Sequence, residues 1–359
     1  MIVTSTSIIK KLLLLFLVFA GLHYSREFLM PLAIGAVLAT LFLPFCKWME
    51  VKKISRGLAT TICLLVLLLA IGGVVTLIGW QISELANDVG TLKHKGGETL
   101  ERIHQYVFSH FGISREEQAQ LIKDQQSSVT GFLQSMAGSI TDIFTSFIFM
   151  LVYIFLLLYY RIHIKQFILK LSPAGQQLEM EQILQSTTHV SQQYLLGLTK
   201  MIMCLWVMYG IGFSLLGVEN AIFFAVLCGL LEIIPFIGNL TGTIITILVA
   251  AVHGAGLPIL GGIAVTYGVV QLIQGWVLEP LIVGPQVKIN PMFTIFALVL
   301  GEIVWGIPGI ILAIPLTAML KIICDHIEPL KPYGFLIGEI ETKKTESDFL
   351  KKIKIWIKK

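Results

Sequence analysis

The chain has 359 residues, of which 55% are hydrophobic and only 13% charged, with a mean hydropathy of +0.83; an average soluble chain carries about 25% charged residues. Several windows supply the roughly 20 apolar residues needed to cross a bilayer, so the composition excludes a soluble domain and points to an all-α, polytopic membrane protein. The net charge of +4 is small, and no nucleic-acid partner is expected from it.

Lys10 and Lys11 precede an apolar run from Leu12 to Leu22. That run resembles a signal peptide but has no small-x-small cleavage site, so it is expected to stay as a first span. A second span runs from Phe28 to Cys46, a basic loop follows (Lys47, Lys52, Lys53, Arg56), and Gly57 to Trp80 makes a third. Residues 81–137 are polar and mixed in charge. Leu92, Leu100, Ile103, Val107 and Phe111 fall near helical spacing there, which predicts amphipathic helices outside the bilayer. Ser139 to Tyr160 is a fourth span, and Arg161, Lys165 and Lys170 follow it. A second amphipathic stretch reaches Tyr194, and the fifth span is expected from about Leu195 to Leu216. Lys and Arg concentrate before the first span, between the second and third, and after the fourth. The positive-inside rule therefore puts the N-terminus in the cytoplasm and 81–137 outside.

The C-terminal half is harder to count. Segments 221–237 and 239–252 meet at EIIPFIGN, and 293–305 and 308–323 meet at WGIPG, with a normal span at 257–278 between the pairs. Ten, nine or six crossings are all compatible with apolarity. Segment 239–252 has 14 residues and 293–305 has 13, short of the roughly 20 that span. Two re-entrant hairpins, one from each side with tips near the midplane, are therefore expected, within a total of six to eight spanning helices. Short, Gly/Pro-interrupted apolar segments in two places are the pattern of a transporter binding site. The tail 324–359 ends in Phe349, Ile353, Trp356 and Ile357 set among lysines. It reads as a basic amphipathic helix on the cytoplasmic leaflet or as a charged disordered tail. The domain order predicted is 1–80 N-terminal spans, 81–137 extracytoplasmic insert, 138–160 central span, 161–194 cytoplasmic helix, 195–323 transport core, and the tail.

Carboxylates and prolines inside apolar segments carry the functional argument, because lipid hydrates neither a charge nor a freed backbone group. Glu232 precedes Pro235, which frees the Leu231 carbonyl and disfavours helix at Ile234. A broken helix beside a carboxylate offers oxygens to a cation or a site for a proton, and Asn239, just beyond Gly238, adds a neutral donor and acceptor. Tyr267, Gln271 and Gln274 share a narrow arc of one helix, with Glu279 about 80° round from Gln271. Interhelical hydrogen bonding alone would also explain that stripe. Glu302 stands before a second break at Gly306 and Pro308. Asn290-Pro291 is placed at the cytoplasmic mouth, and His253 reads as a satisfied loop histidine. The five cysteines (Cys46, Cys63, Cys204, Cys228, Cys324) lie in or beside apolar segments without a CxxC pair. Being odd in number, they exclude a complete disulfide set and read as small core residues. No HExxH, GxSxG or GxxxxGK[ST] motif is present, so catalytic residues, a metal and a cofactor are not expected.

The motifs LEIIPFIG (231–238), QGWVLEPLIVGPQVKINP (274–291) and GEIVWGIPGIILAIPLTAMLK (301–321) together resemble the autoinducer-2 exporter family of bacterial permeases. The resemblance implies an inner-membrane, multi-pass transporter that forms a homo-oligomer and moves a small molecule or ion. Relatives are associated with autoinducer-2 export, and some with sodium/proton antiport. By motif position it carries over Glu232, Pro235, Gly238, Glu279, Pro280, Pro291, Gly306, Gly309 and Pro315. Many relatives place Gly-Gly where Gly301-Glu302 stands here, which separates Glu302 from the family pattern. A membrane scaffold without transport activity is the alternative reading, and an integral-membrane enzyme a weaker one.

Overall fold

The computed structural model describes residues 5–87, 144–173, 175–235, 237–283 and 287–339. The insert expected over 81–137 lies outside the described residues beyond 87, and the tail expected over 324–359 lies outside them beyond 339. The chain is helical, in keeping with its lack of polar–apolar alternation at strand period. Helix α1 is Ser5–Tyr24, α2 Arg26–Val51, α3 Arg56–Asn87, α4 Phe144–Tyr159, α5 Arg161–Leu171, α6 Gln177–Leu215, α7 Ala221–Leu231, α8 Ile237–Val252 and α9 Leu257–Ile273. A π-helical segment Gln274–Val283 prolongs α9. Then come α10 Pro291–Trp305, α11 Ile307–His326 and the short α12 Lys331–Ile337. Five described helices are long and apolar enough to cross a membrane, or six if α4 and α5, bent by 70°, count as one span. Large apolar side chains such as Phe16, Leu69, Leu215, Val265 and Leu272 stand exposed on their outer faces, as lipid-facing side chains do.

Two apolar cores hold the helices together. One joins α2, α3 and α4 through Ala39, Cys46, Cys63, Ile154 and Leu158. The other joins α6 to α9 through Leu205, Tyr209, Phe213, Phe224, Cys228 and Ile263. Thr40 and Ser191 share a 3.0 Å hydrogen bond between α2 and α6 and so link the two cores. The basic loop after α2 and the basic start of α5 lie at one end of the bundle, where Arg161 pairs with Glu50 and Arg56 approaches the same carboxylate at 3.9 Å. The five cysteines are free; Cys46, Cys63, Cys228 and Cys324 are buried and pack as small core residues.

A single helix carries the chain through the boundary expected near 194–195 between an amphipathic stretch and a span. No proline interrupts 177–215, so α6 runs unbroken for 39 residues from a polar N-terminal part into an apolar one.

Both C-terminal pairs are antiparallel helical hairpins. Gly238 and Gly242 on α8 face Leu231 and Cys228 on α7, and Gly301 on α10 faces Gly309 on α11. With 11 and 16 residues, α7 and α8 are about 17 and 24 Å long, short of a hydrocarbon core about 30 Å thick. The second pair differs from expectation. Its tip turns at Gly306, and the adjacent Trp305 Nε1 donates to the Leu22 carbonyl at 3.0 Å. That tip therefore lies beside the α1–α2 turn rather than half way along the bundle, because α11, with 20 residues, is long enough to run its full length. Gly306 has φ +65 and ψ −141, a region open to glycine alone. The Trp305 indole occupies one of the carbonyls that a helix end leaves free. Trp305→Phe is expected to cost about 1 kcal/mol, read as a melting temperature a few degrees lower in detergent-solubilised protein.

Candidate functional site

The first hairpin is built by its own sequence. Asn220, in left-handed backbone at φ 58, precedes α7. Pro235 has no N–H to continue the helix, so α7 ends at Leu231 and Glu232–Pro235 form the tip. Gly238 then packs against the Leu231 carbonyl so closely that a Cβ there would overlap it. Along α8 the buried positions are Gly238, Asn239, Gly242, Thr243, Thr246 and Ala250, a stripe of small and polar residues at helical spacing. The threonines turn their hydroxyls back on the helix: Thr243 to the Asn239 carbonyl at 3.0 Å and Thr246 to the Gly242 carbonyl at 2.8 Å.

This stripe delivers Asn239, fully buried, beside Glu232 and α9. Gln274 Nε2 donates to Glu232 Oε1 at 2.5 Å, and Asn239 Nδ2 donates to Gln274 Oε1 at 3.2 Å. Three side chains from three elements thus form one chain of hydrogen bonds. Two acceptors are left over: Glu232 Oε2 and Asn239 Oδ1 are buried with no donor among the described residues. The Tyr209 hydroxyl on α6 is likewise buried without a partner. An orphaned buried acceptor costs about 1–3 kcal/mol, and more on a charged group, so this cluster bears a cost alongside the hydrogen bonds that join its elements. One proton on Glu232 converts Oε2 to a donor, and a cation at either oxygen would satisfy it.

The network lies deep in the bundle. Along α6, Gly212 meets Thr266, and Gly197 lies where an added methyl would stand 3.0 Å from the Ile282 carbonyl oxygen. Gln274 falls midway in sequence between those two contacts, so the Glu232 tip lies between the levels of Gly197 and Gly212 on α6.

Of the residues picked out from sequence, Glu232, Asn239 and Gln274 come together, with Pro235 and Gly238 shaping the turn. Gln271 instead donates to the Tyr267 hydroxyl at 3.3 Å, one turn away. Glu279 and Glu302 have exposed side chains and lie outside the network. The phase of Glu279 is altered by the wider turns of the π segment, a geometry that recurs at functional sites. Pro280 sits inside that segment. Asn290 is the N-cap of α10, accepting from Met292 N–H at 3.0 Å, with Pro291 at the first helical position. Pro308 opens α11 in the same way, while Pro315 is buried inside it. His253 bonds the Val249 carbonyl at 2.8 Å, the satisfied loop histidine expected. The sequence does not single out Tyr209 or Thr243 as part of this site. The Gly-x-x-x-Gly and Thr-x-x-Thr spacing on α8 was the signal available for Thr243; for Tyr209 only tertiary contact reveals the role.

The sequence profile described as "AI-2E family transporter" matches residues 12–328. The chain belongs to the AI-2E transporter family. Among AI-2E relatives, YrrI, a candidate transport protein of Bacillus subtilis (strain 168), is 23% identical over 315 residues, covering 84% of this chain and 87% of the relative. YhhT, a candidate transport protein of Escherichia coli (strain K12), is 24% identical over 339 residues, covering 93% and 95%. A third, YueF of Bacillus subtilis (strain 168), is 25% identical over 312 residues, covering 81% and 82%. This AI-2E chain is thus a multi-pass membrane transporter, and the hairpin and its polar network fall within the matched region.

Proposed function

We propose that this chain is a secondary transporter in which Glu232, with Asn239 and Gln274, takes up and releases a proton or monovalent cation while a small polar solute moves outward. The single observation that carries this is the pair of buried oxygens, Glu232 Oε2 and Asn239 Oδ1, left without donors at the tip of a broken helix pair. A purely structural kink would pair them. In this reading α7–α8 re-enters from the outside. Helices α1 to α4, α6, α9 with the π segment, and α11 are crossings in this reading; the 15-residue α10 is counted as the eighth because its tip lies beside the α1–α2 turn rather than on its length, and both termini are then cytoplasmic. The joining of the two basic segments at one end of the bundle supports that orientation. The joints at Pro235, Gly238, Pro280 and Gly306 supply the breaks about which the helices rearrange, and Glu279 and Glu302 stand at the periphery, open to an oligomeric neighbour. Within the family reading the exported solute is autoinducer-2.

Sodium/proton exchange is the second reading, favoured by the same pair of oxygens, which is chemistry for a small ion rather than for a polyol. Purified full chain in liposomes distinguishes them. Autoinducer-2 efflux driven by an imposed pH or sodium gradient supports the first. Proton release on sodium addition, with no solute requirement, supports the second. Neither flux above empty liposomes removes both.

A further inference from the structure

A second, separate feature lies at the basic end of the bundle. Where α4 bends by 70° into α5, a cavity of about 700 Å³ opens between α2, α4, α5 and the start of α6. Its charged and polar walls include Lys47, Arg161, Lys165, Thr188, His189 and Gln192, and none of the described residues lining it is acidic. Its remaining lining is mostly aliphatic, from α2 and α4 as well as α5. Arg161 gives one terminal nitrogen to Glu50, but its Nη1 is buried with no partner. Lys165 is held at 2.5 Å by Glu181 from outside the cavity wall, and Lys47 has no ion pair among the described residues. The guanidinium and two ammonium groups thus line one open space, and among the described residues two carboxylates, Glu50 and Glu181, pair with them.

We propose that this cavity binds the anionic headgroup of a phospholipid from the adjoining leaflet, with phosphate against Lys47, Arg161 and Lys165 and the acyl chains along the aliphatic wall. Three features select a lipid over a free anion. Half of the lining is aliphatic and has no use for inorganic phosphate. The α4–α5 bend turns a spanning helix toward the membrane plane, where headgroups lie. The exposed Ile162, Phe167 and Leu171 on α5 suit immersion beside it. Lipid bound there would brace α5 against α2 and α6, the helix that also contacts the π segment at Gly197.

The test measures thermal stability and lipid retention of the purified full chain in mild detergent with added phosphatidylglycerol, phosphatidylcholine or inorganic phosphate. Wild type and Lys47→Gln/Lys165→Gln are compared. The expected result is selective retention of phosphatidylglycerol by wild type, weakened at least tenfold in the double variant, and restored by Lys47→Arg/Lys165→Arg. Inorganic phosphate at millimolar concentration should neither stabilise nor compete. Equal retention of both lipids, or unchanged phosphatidylglycerol binding in the double variant, would overturn the proposal. Saturable binding of inorganic phosphate that displaces lipid would overturn the lipid assignment in favour of a free anion. If the double variant does not fold, Lys47→Gln alone serves, since Lys47 supports no carboxylate.

Discussion

Glu232→Gln is expected to lower gradient-driven flux in proteoliposomes at least tenfold while the protein still folds and inserts. The substitution keeps shape and leaves Oε1 able to accept from Gln274, which approaches at 2.5 Å. It removes the one thing the account needs, an oxygen that alternates between charged and neutral. An amide neither releases a proton near neutral pH nor offers a formal charge to a cation. Stability is expected to rise slightly, because an unpaired buried carboxylate is replaced by a neutral group with its own donors. The scaffold reading predicts the opposite pattern: no change in any activity, and interference only when soluble segments are disrupted. Asn239→Ala, which strips the second orphan oxygen without touching the carboxylate, is expected to weaken cation dependence while sparing part of the flux.

Gly309→Leu is expected to destabilise the protein by about 3 kcal/mol or more, at the upper end of what overpacking costs. A Cβ at Gly309 would stand 2.6 Å from the Gly301 carbonyl carbon and 3.1 Å from its Cα, with the carbonyl oxygen nearer still. These are backbone atoms of the facing helix, so no rotamer change relieves the overlap and α10 must move away from α11. In membranes, where apolar surface gains little by leaving lipid, such close backbone approach supplies much of what holds two helices together. Loss of the monodisperse detergent-solubilised species on gel filtration, with a lower melting temperature, is the expected readout. Ile303→Leu, at an exposed position on α10, should leave both unchanged.

Much of this was legible in the sequence, for local reasons. Pro235 three residues after Glu232 requires a helix end, and α7 stops at Leu231. The WGIPG turn required a break, and the chain turns at Gly306. Lengths of 13 and 14 apolar residues led to the expectation of two re-entrant hairpins; both pairs fold back on themselves, but α11, with 20 residues, is long enough to cross. What failed was long-range or geometric. The depth of the second tip depends on Trp305 reaching Leu22, 283 positions away, and nothing local encodes that. The phase of Glu279 expected for an α-helix is altered by the π segment Gln274–Val283, which contains Pro280. The change in polarity expected at 194–195 is carried by one unbroken helix, α6. The basic cavity draws its cations from α2 and α5, more than a hundred residues apart, so sequence reading saw only two separate positive loops.

The central claim is that the Glu232 carboxyl itself carries the coupled ion. An apolar carbodiimide, which modifies carboxyl groups reached from a low-dielectric phase, tests it on the full chain in proteoliposomes, with mass spectrometry locating the adduct and flux measured on the same sample. The account predicts that flux falls in proportion to modification at Glu232 and that excess coupling cation protects both. Complete modification of Glu232 with flux unchanged would contradict it.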